Sequence, residues 1–135
     1  MRLEPLYGIR FSYPEHYFVE TSEQLGAFFA EGRCEGAITG RFRGMNHPRV
    51  RKDDVYLPDF QGVIETDDGA RLAFDIRGFG RPRDYGREVV GTIAHATADE
   101  PYARLNDALC VVAGEARDKE IRLDVAELIW EPLSG

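Results

Sequence analysis

Residues 59–78 read DFQGVIETDDGARLAFDIRG, two alternating runs folded back across Asp67-Asp68-Gly69. Glycine at the third loop position suits a three-residue hairpin, a type I turn with a left-handed residue after it. Pairing Thr66 with Ala70 sets Glu65 against Arg71, Val63 against Ala73, Gln61 against Asp75 and Asp59 against Arg77. Phe60, Ile64, Leu72, Phe74 and Ile76 then gather on the other surface. A two-residue loop would slip the register by one and mix the two sets, because side chains alternate with period two. The three-residue loop is therefore expected, with one apolar face and one charged face.

Outward from this hairpin the chain keeps the same grammar. Leu3–Tyr13 alternates, with Tyr7, Ile9, Phe11 and Tyr13 on one side, and Pro14 ends the run. Glu15–Glu20 reads as a loop holding His16 and Tyr17. Thr21 and Gln24 have capping-box spacing and predict one helical turn. Glycines 32, 36, 40 and 44 punctuate two expected strands, about 27–38 and 41–51, where they mark bends and close backbone approach. Arg49, Arg51 and Lys52 are balanced at once by Asp53 and Asp54, as in a solvated turn. GRPRDYG at 80–86 reads as a loop, and 87–97 as a strand with Val89, Gly91, Ile93 and His95 on one face. Pro101, after Asp99 and Glu100, suits the first position of a short helical turn. Residues 108–114 and 120–130 are the last two strands, and a parity change predicts a bulge near Ala126.

About eight hairpin-connected strands argue for an all-β fold, a single closed antiparallel β-barrel spanning 1–135 with one or two short helical turns. Such a barrel holds side chains or one small ligand. Apolar content of 43% and charged content of 30% fit a soluble globular domain. The net charge of −7 argues against nucleic acid and anionic membranes as partners. Two cysteines make no disulfide framework, and neither a signal peptide nor a membrane span is read, so a cytoplasmic protein is expected.

Several segments together, LEPLYGIR, EGRCEGAITGRFRG, TDDGARLAFDIRG, DEPYARLNDALCVVAGE and DVAELIW, span nearly the whole chain. In them the sequence resembles the family called domain of unknown function 3237, or uncharacterised protein family 0311. The Thr-Asp-Asp-Gly turn and the Tyr102–Asn106 segment carry most of the likeness. The resemblance implies a closed, calycin-like antiparallel barrel and no established general activity. The chain departs from the family pattern at Arg104, where members often have Trp, and at His95 or Ala96, where they often have an aromatic.

The functional expectation is a pocket for an apolar or aromatic metabolite at the barrel mouth, with no cofactor. That pocket could support isomerisation, cyclisation or elimination by acid–base chemistry. His95 or Asp59 would be the base, since an imidazole titrates near neutrality. Arg77, Asp75 and Gln61 would recognise a carbonyl or carboxylate if their face lined the lumen. The plainer reading places them on the wet outside, where such ion pairs contribute only ~0–1 kcal/mol. Tyr102, Asn106, Glu127 and Trp130 are further ligand candidates. Their structural reading is a turn brace for Asn106, a barrel-end plug for Tyr102, and a plug or interface for Trp130. His16 and His47 are weaker acid–base candidates, and the three histidines have no metal-ligand spacing. Cys34 and Cys110 read as inert core thiols. The competing class is a filled, non-catalytic interaction barrel, and an exposed edge strand or the last strand would serve a homodimer.

Overall fold

The computed structural model describes every residue except Pro14 and Gly135. Its eleven strands are β1 (Arg2–Ser12), β2 (His16–Glu20), β3 (Gln24–Gly36), β4 (Gly40–Asn46), β5 (Arg49–Val50), β6 (Tyr56–Leu57), β7 (Asp59–Thr66), β8 (Arg71–Arg83), β9 (Gly86–Ala96), β10 (Cys110–Arg117) and β11 (Glu120–Ile129). Eight of them close a ring in the order β1–β11–β10–β9–β8–β7–β4–β3 and back to β1, every pairing antiparallel. The all-β barrel is therefore as expected. Closure removes the unpaired edges that an open sheet would expose.

The β7–β8 hairpin has the register that side-chain parity demands. Asp59 pairs with Arg77, Gln61 with Asp75, Val63 with Ala73 and Glu65 with Arg71. The turn closes with the Thr66 N–H donating to the Ala70 carbonyl at 2.9 Å, and Gly69 takes φ +94°. Phe60, Ile64, Leu72, Phe74 and Ile76 all point inward and are buried. Phe42 stacks on Phe74 at 4.5 Å between centroids, and Phe11, Phe28 and Phe60 pack edge-on or tilted around them. This aromatic cluster fills the middle of the barrel. Gly44 and Gly62, paired across β4 and β7, make room for it. A Cβ at Gly62 would lie 2.7 Å from the Phe74 ring, and one at Gly44 2.8 Å from the rings of Phe60 and Phe74.

One end of the barrel is closed by the 3-10 helix Glu100–Asp107, which has Pro101 in its first turn and buries Leu105. Asn106 braces it by accepting from the Thr97 N–H at 2.8 Å and donating to the Thr97 carbonyl at 2.9 Å. Tyr102 donates to Asp68 at 2.9 Å and so ties the helix to the hairpin turn.

Several local expectations are corrected. Residues 16–20 are not a loop: β2 pairs with β3 beyond the point where β1 leaves it. Thr21–Glu23 form the tight turn of that hairpin and not a helix, with the Thr21 side chain bonded to the Glu23 backbone. The proposed stop at Pro14 lies outside the described residues. Residues 80–83 continue β8, paired with β9 and at Gly80 with β6, so only Asp84-Tyr85 form a turn. The bulge near Ala126 sits on the facing strand: the β1–β11 register shifts between Pro5 and Tyr7, opposite Ala126 and Val125. Trp130 lies beyond β11 and is 80% exposed, so it plugs nothing.

Candidate functional site

The other end of the barrel is a mouth built from inward-facing positions of several strands. A chamber of about 110 Å³ lies there above Phe11, Phe60 and Ile76, with Tyr13, Tyr56 and Arg87 at its rim. It adjoins a vestibule of about 240 Å³ that shares Tyr13, Phe28, Tyr56 and Arg87 and is walled by His16 and Phe18 of β2. An apolar cavity of about 150 Å³ can hold benzene. The inner chamber is smaller than that, so a ring fits by extending from it into the vestibule, which leaves space for substituents.

Four polar side chains converge on this mouth. Asn46 is buried at the end of β4, where its amide oxygen accepts from the Asp59 N–H at 3.0 Å. That bond fixes the amide so that its nitrogen donates to the Tyr56 hydroxyl at 3.3 Å. Tyr56 uses a lone pair on Asn46, and its own O–H proton meets no acceptor among the described residues. Burial pushes the Tyr56 phenol well above its ordinary range, the Tyr13 phenol adds to this, and Arg87 opposes it. Tyr13 is raised for the same first reason, with Arg87 again opposing. Both are neutral donors at neutral pH.

Arg87 is largely spoken for. Its Nη1 donates to the carbonyls of Asp54 at 2.7 Å and Gly80 at 3.0 Å, and its Nη2 to the Asp54 carboxylate at 2.9 Å. The guanidinium also lies over the Tyr56 ring at 5.5 Å. It clamps the Asp53–Val55 turn to β8 and steadies the ring it covers, with its charge already matched.

Most of the residues singled out in the sequence lie elsewhere. Asp59, Gln61, Asp75 and Arg77 face outward, which settles the orientation of the charged surface. Arg77 pairs with Asp59 at 3.1 Å and Asp75 at 3.0 Å, while Gln61 donates to both carboxylates. These residues line no part of the lumen. Asp59 and Arg77 instead border a broad, open depression of about 870 Å³ on the outer wall, beside Phe79 and Val90, with His47 at its margin. Only the backbone N–H of Asp59 serves the mouth, through Asn46.

His95 is buried in the closed half of the barrel and borders neither chamber. Its Nε2 is 2.6 Å from the Tyr7 hydroxyl, and its Nδ1 has no partner among the described residues. Burial holds its pKa down to about 4. The aromatic cluster stands between it and the mouth, so this candidate base does not meet the cavity. Burial likewise raises the Tyr7 phenol and pushes the Cys34 thiol up to about 12, with Cys110 also raised. Both cysteines are free and buried. Tyr102 and Asn106 serve the end plug, and Glu127 pairs with Arg104 at 2.9 Å.

Asn46, Tyr56, Tyr13 and Arg87 were not among the sequence candidates. Three of them carried a parity signal. Tyr13 shares a face with Tyr7, Ile9 and Phe11, Arg87 with Val89 and Ile93, and Asn46 with Phe42. A polar residue on an otherwise apolar face marks a place where the core opens or a partner waits. Tyr56 carried no such signal, because β6 is two residues long.

No family model and no curated protein matches the chain. Solved structures do. A β-barrel-like protein from Acinetobacter baumannii superposes with a TM-score of 0.85 at 18% identity, covering 93% of this chain and 94% of that one. A conserved protein of unknown function from Rhodopseudomonas palustris gives 0.84 at 16% identity, over 95% and 97%. An enzyme from Penicillium herquei gives 0.76 at 17% identity, over 93% and 92%. At these identities the likeness establishes a shared barrel fold. Among the described residues no helix is long and apolar enough to cross a membrane.

Proposed function

We propose that the protein binds a small, flat, uncharged molecule in the barrel mouth, and that the Tyr56 hydroxyl donates a hydrogen bond to a carbonyl-type oxygen of that molecule. The observation that carries this reading is the oriented chain from the Asp59 N–H through Asn46 to Tyr56, whose phenolic proton meets no acceptor among the described residues and lies beside an aromatic-lined chamber. The apolar walls favour a ring, and the matched charge of Arg87 favours a neutral ligand over a carboxylate. Few polar groups in a mainly apolar concavity is the usual composition of a small-molecule site.

A proton-transfer enzyme is the second reading, and an enzyme among the structural neighbours supports catalysis in a barrel of this fold. In it Tyr56 stabilises a developing oxyanion, and the imidazole available at the vestibule is His16 rather than His95. Membership of the domain of unknown function 3237 family, and a cytoplasmic setting, belong to the same proposal. They are supported respectively by the motifs quoted above and by the two buried free thiols.

Thermal-shift and calorimetric screens test the binding reading, because a ligand of the native state raises the melting point by mass action. Neutral aromatic ketones and lactones should stabilise the protein more than matched carboxylates or hydrocarbons. Tyr56→Phe should weaken the best ketone about fivefold, the usual value of one neutral hydrogen bond. Ala116→Phe, which fills the chamber from its wall, should abolish binding while the barrel still unfolds cooperatively. If no neutral ring compound shifts the melting point, or if Tyr56→Phe leaves affinity untouched, the reading is wrong.

A further inference from the structure

β2 is the one strand with a single partner strand among the described residues. It pairs with β3 over Gln24–Phe28, on the same side of β3 that β1 occupies further along. The neighbour that covers β1, strand β11, begins at Glu120 opposite Ser12. β2 therefore projects past the barrel rim with bare backbone donors and acceptors along its free side. All five of its residues, His16-Tyr17-Phe18-Val19-Glu20, are exposed, Tyr17 and Val19 by 65% and 64%. Natural edge strands are normally blunted by shortness, charge, proline or a bulge; β2 is short and carries one carboxylate, Glu20, but has no lysine, proline or bulge within its span.

The strand is also complementary to itself. In an antiparallel pairing about a two-fold axis normal to the sheet, residues directly opposite must share a face, so their numbers sum to an even value. A sum of 36 is the register that pairs all five residues. It sets Phe18 against Phe18 of the second copy, Tyr17 against Val19, and His16 against Glu20. Imidazole then meets carboxylate at both ends, and aromatic and β-branched side chains meet between them. Sums of 34 or 38 pair only three residues and lose both imidazole–carboxylate contacts. On the outer surface Tyr17 and Val19 continue into Leu25 and Phe29 of β3 and Met45 of β4, each between 42% and 46% exposed. That apolar strip leads straight to the free edge and would become continuous across the two-fold.

We infer that β2 is a homodimerisation edge, joining two copies of this chain through antiparallel β2–β2 pairing centred on Phe18. The partner it fits is a second copy, because reversing the strand sets its imidazole end against its carboxylate end. The pairing also bears on the mouth. His16 and Phe18 wall the vestibule, so a β2 held on both edges gives that wall a fixed position, whereas in a lone chain it is held only by β3. The inference stands whether or not the mouth binds a ligand.

The experiment is sedimentation velocity over a range of concentrations together with cysteine cross-linking. The full-length chain should sediment as a concentration-dependent dimer. His16→Glu, which sets carboxylate against carboxylate twice per dimer, should weaken association at least tenfold. The double variant His16→Glu/Glu20→Lys restores opposite charges and should recover it. Both changes are at exposed positions, and circular dichroism checks that the barrel is retained. Across an antiparallel pair the Cα atoms of opposed residues lie about 4.5–5.5 Å apart, within disulfide range. Phe18→Cys should therefore oxidise to a covalent dimer on a non-reducing gel, while Tyr17→Cys, offset from its own copy, should not. Cys34 and Cys110 are buried and do not compete. A monomer at every concentration overturns the inference. So does a dimer indifferent to the charge reversal, or one that cross-links through position 17 as readily as through 18.

Discussion

His95, near the end of β9, carries an imidazole into the closed half of the barrel. It is a buried group whose Nε2 shares a bond with Tyr7 and whose Nδ1 has no partner among the described residues. Its charged form is penalised by desolvation, and the folded pKa falls to about 4 against an ordinary value of 6.5. The consequence for stability has a definite sign. Between those two values the unfolded chain binds a proton that the folded chain does not, so stability rises with pH across the window. It is complete above about pH 6.5 and lost progressively as pH falls to about 4, by roughly 3 kcal/mol in all. Urea unfolding of the wild type and His95→Gln at pH 7 and pH 4.5 measures this. The variant should be the less stable of the two at pH 7, where Tyr7 loses its partner. That gap should narrow or reverse at pH 4.5. A gap that is constant with pH would mean that His95 carries its proton in the fold.

At the scale of the element, legibility followed parity. The β7–β8 hairpin could be registered from sequence because a one-residue slip mixes two cleanly sorted faces, and one turn residue, Gly69, must take positive φ. β2 could not, because HYFVE is short, shows no alternation, and is a strand only by virtue of β3 beside it. The end of β8 was hidden by a composition of glycine, proline and arginine that suits loops, although pairing with β6 and β9 holds it extended. The mouth was the hardest part to read. Its four polar groups come from the residue just after β1, from β4, from β6 and from the start of β9, and no spacing along the chain announces their convergence. Glycines give a sharper test of what the elements need. At Gly69 nothing lies within 4 Å of a built Cβ, so Gly69→Ala is a pure backbone change at φ +94°. It should cost about 1 kcal/mol. At Gly44 no positive φ is involved, but the Cβ would press on the Phe60 and Phe74 rings and on the Gln61 carbonyl. Gly44→Ala should cost about 1–3 kcal/mol, the range for overpacking a core. Denaturation midpoints of the two variants check the order, and a larger loss at Gly69 would reverse the account of why β4 and β7 carry facing glycines.

The whole molecule divides into a full half and an open half. From the aromatic cluster to the 3-10 helix the interior is packed with side chains, which is how the filled-barrel alternative would look throughout. Only above Phe11 and Phe60 does space remain, and there the rim is assembled from the shortest strands, β5 and β6, and from the singly paired β2. Few buried contacts and exposed backbone bonds mark regions of low local stability. Hydrogen exchange should therefore run fastest at β2, β5 and β6 and slowest along β7 and the facing part of β8. The same measurement locates the ligand. A neutral aromatic ketone bound in the mouth should slow exchange around Tyr56, Gly80 and Arg87 and leave the outer wall unchanged. Binding in the broad outer depression, which Asp59 and Arg77 border, would instead protect Arg77–Phe79 and Val90–Thr92. Those two patterns share no residue, so one exchange map with and without ketone decides which concavity of the barrel is the site.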